Sequence, residues 1–183
     1  MRAKQLLQQY GLAPRKGMGQ NFLVADRYLG RIVDAAEIGL QDQIVEVGPG
    51  LGNVTRALAE RAGRVIAVEL DRDLVRVLRE TLGDLPNVEI VAADVLEVSM
   101  AQLLGSRAVE PYKVVANLPY NITSAVLRHL LESVPQPTRL VLMVQKEVAQ
   151  RITATPGNMS LLAVSVQFYG APRIVAHVPA GAF

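Results

Sequence analysis

The chain has 183 residues and a net charge of +2, with half its residues apolar and a fifth charged; this suits one domain around one hydrophobic core and argues against two. There is no cysteine and there are only two histidines, His129 and His177, which argues against disulfide scaffolds, thiolate zinc sites, cysteine nucleophiles and histidine-rich metal centres, so no metal ligand set is expected. No apolar run approaches the ~20 residues of a membrane span, and the first twenty residues lack the apolar stretch of a signal peptide, so a cytoplasmic protein with no membrane partner is the expectation.

The first 25 residues read as an irregular basic arm with Gly11, Pro14, Gly17 and Gly19 as breakers. From Asp26, a good N-cap, Leu29, Ile32, Val33 and Ala36 repeat at helical spacing, which predicts a helix to about Glu37 ended by Gly39. Short β-branched runs follow at Ile44–Val47, Arg64–Leu70, Val88–Val91, Lys113–Ala116 and Arg139–Val144, with helical patterns near 52–62, 72–82, 99–104 and 121–133 between them. The remainder predicts helices near 147–153 and 160–169 around a Pro156-Gly157 turn, and a strand near 173–177. Strands that alternate with helices and are apolar on both faces indicate an α/β, doubly wound, mostly parallel sheet with helices on both sides. Charge is uneven along this order: +3 over residues 1–40, −4 over 41–138 and +3 over 139–183. The two basic ends could converge on a polyanion, with Arg15 and Lys16 placed to meet phosphates, or be a solvated surface.

In such a sheet ligands bind beyond the carboxyl ends of the strands. After the first strand comes Glu46-Val47-Gly48-Pro49-Gly50-Leu51-Gly52-Asn53, whose glycines let a ligand lie against bare backbone at a helix start. A dinucleotide fingerprint needs glycine where Asn53 stands, so nicotinamide binding loses ground. The second strand ends at Glu69, followed by Leu70 and Asp71. Glu69 can accept from both hydroxyls of a ribose, as in NAD and S-adenosylmethionine (SAM) enzymes, while Asp71 suits a helix cap. The third is followed by Ala93-Asp94-Val95, where Asp94 can accept from an adenine amine. These groups describe a pocket for an adenosine without phosphate.

The fourth strand ends in Asn117-Leu118-Pro119-Tyr120. An exocyclic adenine amine is a poor nucleophile because its lone pair is delocalised into the ring. Two acceptors on its N–H groups stabilise it as it becomes tetrahedral and positive. The Asn117 amide oxygen and the Leu118 carbonyl can be that pair, Pro119 stiffens the turn, and Tyr120 offers a face to a splayed-out base. The bland alternative is a strand-end turn with Tyr120 packed into the core.

At this point the chain resembles the small-subunit ribosomal RNA adenine dimethyltransferases, the KsgA type. The likeness runs from Gly19-Gln20-Asn21-Phe22-Leu23 through residues 46–52, 117–123 and 145–152 to Val178-Pro179-Ala180-Gly181-Ala182-Phe183. It implies a Rossmann-like SAM-dependent methyltransferase fold over residues 26–183 behind the arm of 1–25, with the family's final strand and C-terminal helical domain absent. It implies SAM contacts from Asn21, Leu23, Gly48, Glu69, Asp94 and Asn117, with Gly50, Leu70 and Val95 beside them. The target adenine would be held by Asn117, Leu118, Pro119 and Tyr120, with Phe183 stacking on its other face. The implied enzyme transfers two methyl groups to N6 of each of two adjacent adenosines near the 3′ end of small-subunit rRNA, acting on the rRNA or a precursor particle as a monomer during subunit maturation. The rivals are the large-subunit adenine methyltransferases of macrolide resistance, which Leu118 and residues 145–152 disfavour, and a SAM-fold assembly factor of weak catalysis, which Asn117 and Tyr120 disfavour. Amino-methylating DNA enzymes commonly carry proline where Leu118 stands, and an NAD oxidoreductase fails at Asn53.

Overall fold

Five parallel strands form one sheet in the order β3-β2-β1-β4-β5: β1 Gln43–Val47, β2 Arg64–Glu69, β3 Val88–Ala92, β4 Tyr112–Asn117 and β5 Arg139–Met143. The structure is a computed structural model that describes residues 3–15, 17, 20, 22–23 and 25–182. The chain winds outward from β1 through β2 to β3, then crosses to the other side of β1 for β4 and β5. The reversal lies between β1 and β4, and the crevice beyond their carboxyl ends is where such a sheet receives ligands.

All five residues of β1 are buried, because both faces of the sheet are covered. Val45, Val47, Ile66, Val68 and Val114 face Met100, Leu103 and Leu104 of α5 (Met100–Leu104) and Val126 and Leu130 of α6 (Thr123–Leu131). Ile44, Val65 and Val115, one position out of phase, face Val33 and Ala36 of α2 (Asp26–Ala36) and Leu58 of α3 (Asn53–Ala59). Strand parity therefore assigns Glu46, Glu69 and Asn117 to the α2/α3 face. The register then sets their level: Val47 pairs with Val68 and with Ala116, so Gly48, Glu69 and Asn117 follow side by side.

The other helices are α4 (Arg72–Leu82), α7 (Lys146–Ile152) and α8 (Leu161–Tyr169). Asp71 caps α4 by accepting from Asp73 N at 3.0 Å, and Ser160 caps α8 through Ala163 N at 3.3 Å. Four expectations change. The arm is not wholly irregular, since α1 spans Ala3–Gln9. Gly11, at φ 64°, marks its end: Gly11 N donates to Gln8 O and Leu12 N to Leu7 O, a Schellman motif closed by Leu7 and Leu12 against Leu51 and Leu74. The cap of α2 is Ala25, with Asp26 already inside the helix, and although α2 extends as far as expected its left-handed closing residue is Glu37 rather than Gly39. Glu37 sits at φ 48°, a left-handed position costly for a side chain, offset by two 2.7 Å bonds that its carboxylate accepts from Arg139 of β5. Finally, residues 173–177 form no strand. Their β-branched residues favour extended backbone, but a strand also needs a ladder partner, and none of the described strands pairs with the outer edge of β5.

Candidate active site

The carboxyl ends of the strands open on a cavity of about 690 Å³. Its floor is the turn after β1, where Gly48, Gly50 and Gly52 all take positive φ, at 70°, 59° and 81°. The fit is close at the second glycine, where a Cβ would stand 3.1 Å from the Phe22 ring. Gly48 is held by its N–H to Val68 O at 3.0 Å and backs onto the Asn117 carbonyl, 3.5 Å from where a Cβ would be. Asn53 begins α3, and its Nδ2 donates to Leu23 O at 3.2 Å, tying the buried Leu23 to the turn.

Glu69, 8% exposed, reaches into this floor. Its Oε2 accepts from Gly50 N at 3.2 Å and its Oε1 from Asp71 N at 3.0 Å. Burial pushes its carboxyl above the usual range, and the backbone donors of Asp71 and Gly50 oppose that shift. Next to it Leu70 is an exposed apolar side chain on the cavity wall, a surface on which a base can lie. Across β2, the Asp94 Oδ1 accepts from Leu96 N at 2.9 Å, which orients the carboxylate, and Val95 is buried behind it.

Glu46 is the residue sequence reasoning passed over. It lies mid-sheet on the same face, 2% exposed, and lines the cavity. Its Oε2 and the Thr55 Oγ1 are buried without a hydrogen-bond partner among the described residues. Burial pushes its carboxyl up to about 8, with the nearby Thr55 hydroxyl opposing and the Glu69 charge adding to the rise. An acid flanked by β-branched residues inside a strand is the signal that could have found it, because a buried carboxyl needs a reason.

Asn117 ends β4 level with Glu69. Leu118, 1% exposed, is pinned by its N–H to Met143 O at 3.1 Å. Pro119 follows, and its carbonyl accepts from Thr123 Oγ1 at 3.0 Å and Ile122 N at 3.3 Å, so the turn is braced from α6. Tyr120 is 47% exposed at the cavity lip; it does not pack into the core, and its ring is available to a base.

The remaining expectations divide. Asn21, Lys16 and Phe183 lie outside the described residues. Arg15 is not held out for phosphates: its guanidinium bonds Asp71 Oδ1 at 2.9 Å and Asp73 Oδ2 at 2.5 Å. The basic ends do meet at the cavity mouth, which Arg31 of α2, Lys146 of α7 and Arg173 all line. Arg31 and Lys146 make no ion pair among the described residues, and Arg173 has one distant carboxylate, Glu37 at 3.9 Å.

Together these groups fit an adenosine bearing a cationic amino-acid tail. Bare glycine backbone allows close approach, Glu69 and Asp94 offer acceptors, and the unpartnered Glu46 oxygen leaves a buried polar atom without a hydrogen bond. Among the described residues, no helix is long and apolar enough to cross a membrane and no cluster suits a metal ion.

Comparison with known proteins agrees with this geometry. The sequence model of the ribosomal RNA adenine dimethylase family matches residues 11–183. A protein of Dehalococcoides mccartyi named ribosomal RNA small subunit methyltransferase A is 51% identical over 99% of this chain and 62% of its own length. A Moorella thermoacetica protein of the same name is 48% identical over 97% of this chain and 65% of its own. The chain thus spans somewhat under two thirds of the curated relatives it matches. Among solved structures, the 23S rRNA methyltransferase ErmE is 37% identical with a TM-score of 0.68, covering 79% of this chain and 56% of that one. A dimethyladenosine transferase from Plasmodium falciparum is 28% identical with a TM-score of 0.70, covering 80% and 52%. With a Rossmann-like methyltransferase fold and these matches along nearly its whole length, the chain belongs to the ribosomal RNA adenine dimethylase family.

Proposed function

We propose that this chain carries the catalytic part of a SAM-dependent enzyme that dimethylates N6 of two adjacent adenosines near the 3′ end of small-subunit rRNA, in the free rRNA or a precursor particle. The observation that carries the reading is the shared level of Gly48, Glu69 and Asn117, which sets an adenosine-binding floor directly beside the Asn117-Leu118-Pro119-Tyr120 turn. The names of relatives at about 50% identity favour the small subunit. A cytoplasmic, monomeric enzyme fits this reading, and residues 26–183 form its methyltransferase domain.

When bound, SAM supplies an electrophilic methyl group. Glu69 would accept from the ribose hydroxyls and Asp94 from the cofactor's adenine amine, with Leu70 and Val95 as the apolar residues for that base. Gly48 and Gly50 would allow the amino-acid tail to lie on the turn, with Leu23 and Asn117 to hold it, and Asn21 is proposed as a further contact. At the target base, the Asn117 side chain and the Leu118 carbonyl accept from the two N–H groups of the amine in the first transfer, and one of them accepts from the single remaining N–H in the second, each transfer releasing one proton to water. Their dipoles stabilise positive charge as it develops on nitrogen, and the braced turn needs no reorganisation to do so. Tyr120 supports one face of the flipped base, and Phe183 is proposed for the other. Arg31, Lys146 and Arg173 at the mouth are suited to neighbouring phosphates.

Calorimetry with SAM, followed by methyl transfer to under-methylated small subunits and to large subunits, tests this. SAM binding with dimethyladenosine formed on small subunits alone is expected. Transfer to large subunits alone would move the chain to the macrolide-resistance class, and SAM binding with no transfer to either would indicate an assembly factor.

A further inference from the structure

The N-terminal arm is attached to the strand end that carries Glu69. Arg15 bridges two carboxylates of one helix start, bonding Asp71 Oδ1 at 2.9 Å and Asp73 Oδ2 at 2.5 Å. Gln20 closes the loop, with Nε2 donating to Asp71 Oδ2 at 2.8 Å and Oε1 accepting from Arg15 N at 2.9 Å. Asp71 is 4% exposed at its side chain, so its partners are held partly out of water, where charge-assisted bonds are strongest. Through its own N–H, Asp71 is also bonded to Glu69 Oε1. Further along, Phe22 lies on Gly50, and Leu23 O is tied to Asn53. Gly17, Gln20, Phe22 and Leu23 all line the cavity. Gly17, Gln20, Phe22 and Leu23 therefore form a wall of the cavity, fastened at one end by Arg15 and Gln20 and at the other by Asn53.

We propose that the Arg15 bridge to Asp71 and Asp73 is a clasp that holds this wall against the cofactor, making Arg15 and Asp73 positioning residues for SAM retention rather than RNA contacts. The proposal rests on the reading of the cavity as a SAM site. Neither residue needs to touch the cofactor. Opening the clasp frees one end of the wall, so SAM should leave faster while the reacting groups at Asn117 and Tyr120 are unchanged.

A double-mutant cycle on Arg15→Gln and Asp73→Asn tests it, and Asp71 is spared because it caps α4. The dissociation rate of SAM is measured by stopped-flow chase, and backbone hydrogen exchange over residues 12–23 is measured without cofactor. Arg15→Gln, which removes both bonds, should release SAM about 5- to 10-fold faster and exchange faster in the arm, Asp73→Asn, which leaves the bond to Asp71, should do so by a smaller factor of at least about threefold, and the double variant should be no worse than Arg15→Gln. With a methylation assay, KM for SAM should rise while kcat at saturating SAM holds. Dissociation rates within twofold of wild type in folded variants, or effects that multiply in the double variant, would overturn the clasp. Failure of the unmutated chain to bind SAM would instead overturn the cofactor reading, and arm exchange unchanged by the variants would then still overturn the clasp.

Discussion

The two ends of the sheet treat charge in opposite ways. At the amino ends, Asp42 meets Lys113 at 2.7 Å, Arg64 meets Glu89 at 2.7 Å and Glu37 takes both nitrogens of Arg139. At the carboxyl ends, Arg15 pairs with Asp71 and Asp73 at the start of α4, but Glu46, Glu69 and Asp94 line the cavity and form no ion pair among the described residues. Self-satisfied charges leave nothing for a ligand, whereas acids held only by backbone, or by nothing, keep capacity for one. The lesson is that stability and recognition are separated along the strand axis, and substitutions at the two ends should fail differently.

The largest effect is expected from Asn117→Ala at the carboxyl end. Loss of an acceptor that matters most as charge develops should lower the single-turnover methylation rate roughly 10²- to 10³-fold while SAM affinity changes less. A variant with near wild-type turnover would remove the turn from the chemistry. Glu69→Ala comes next, with SAM affinity falling about 10- to 100-fold in calorimetry through loss of charge-assisted hydrogen bonds. Unchanged affinity in a folded variant would break the contrast between the ends.

Glu46 sharpens the comparison through pH. Its carboxyl rises from an ordinary 4.5 to about 8 on folding, so within that window the folded state keeps a proton that the unfolded chain has released. Wild-type stability should therefore fall as pH rises through the window and level off above it, with a slope reaching ~1.4 kcal/mol per pH unit. Glu46→Gln should make that fall shallower, leaving the part due to Glu69, and be the more stable protein at alkaline pH. Urea unfolding at several pH values checks this, and parallel profiles for the two proteins would refute it. The smallest effect on the cofactor is expected at the amino ends, where Arg64→Met loses the half-exposed Glu89 and its bonds to Gln43 Oε1 and Leu104 O, so it should cost roughly 1–3 kcal/mol of stability and leave SAM binding unchanged.

Much of this is legible in the sequence. The five strands lie within a residue or so of the β-branched runs, because a strand covered on both faces must be apolar at consecutive positions. The groups after those strands were legible for a related reason: glycine, acid and Asn-x-Pro-Tyr at strand ends serve backbone geometry or hydrogen bonding more than packing. What was missed depends on partners distant in sequence. Arg15 in a glycine-broken arm reads as a solvated cation until Asp71 and Asp73 meet it from 56 and 58 positions away. Glu37 occupies a position that local preference would give to glycine, and only Arg139 explains it. Residues 173–177 have the composition of a strand, and pairing is a property of two segments. Glu46 was visible as a letter in a motif, but its burial follows from the strands laid on either side.

The common level of Gly48, Glu69 and Asn117 has a consequence for how this chain tolerates changes in length. Removing one residue inside β2 would draw Glu69 back by ~3.3 Å and turn its side chain to the opposite face, taking the acid from the α2/α3 side to the α5/α6 side. Adding one in the exposed turn at 83–86, between α4 and β3, leaves every strand pairing as it is. Insertions and deletions should therefore accumulate in the turns that enter strands at their amino ends, and be nearly forbidden within strands and in the turns that leave them.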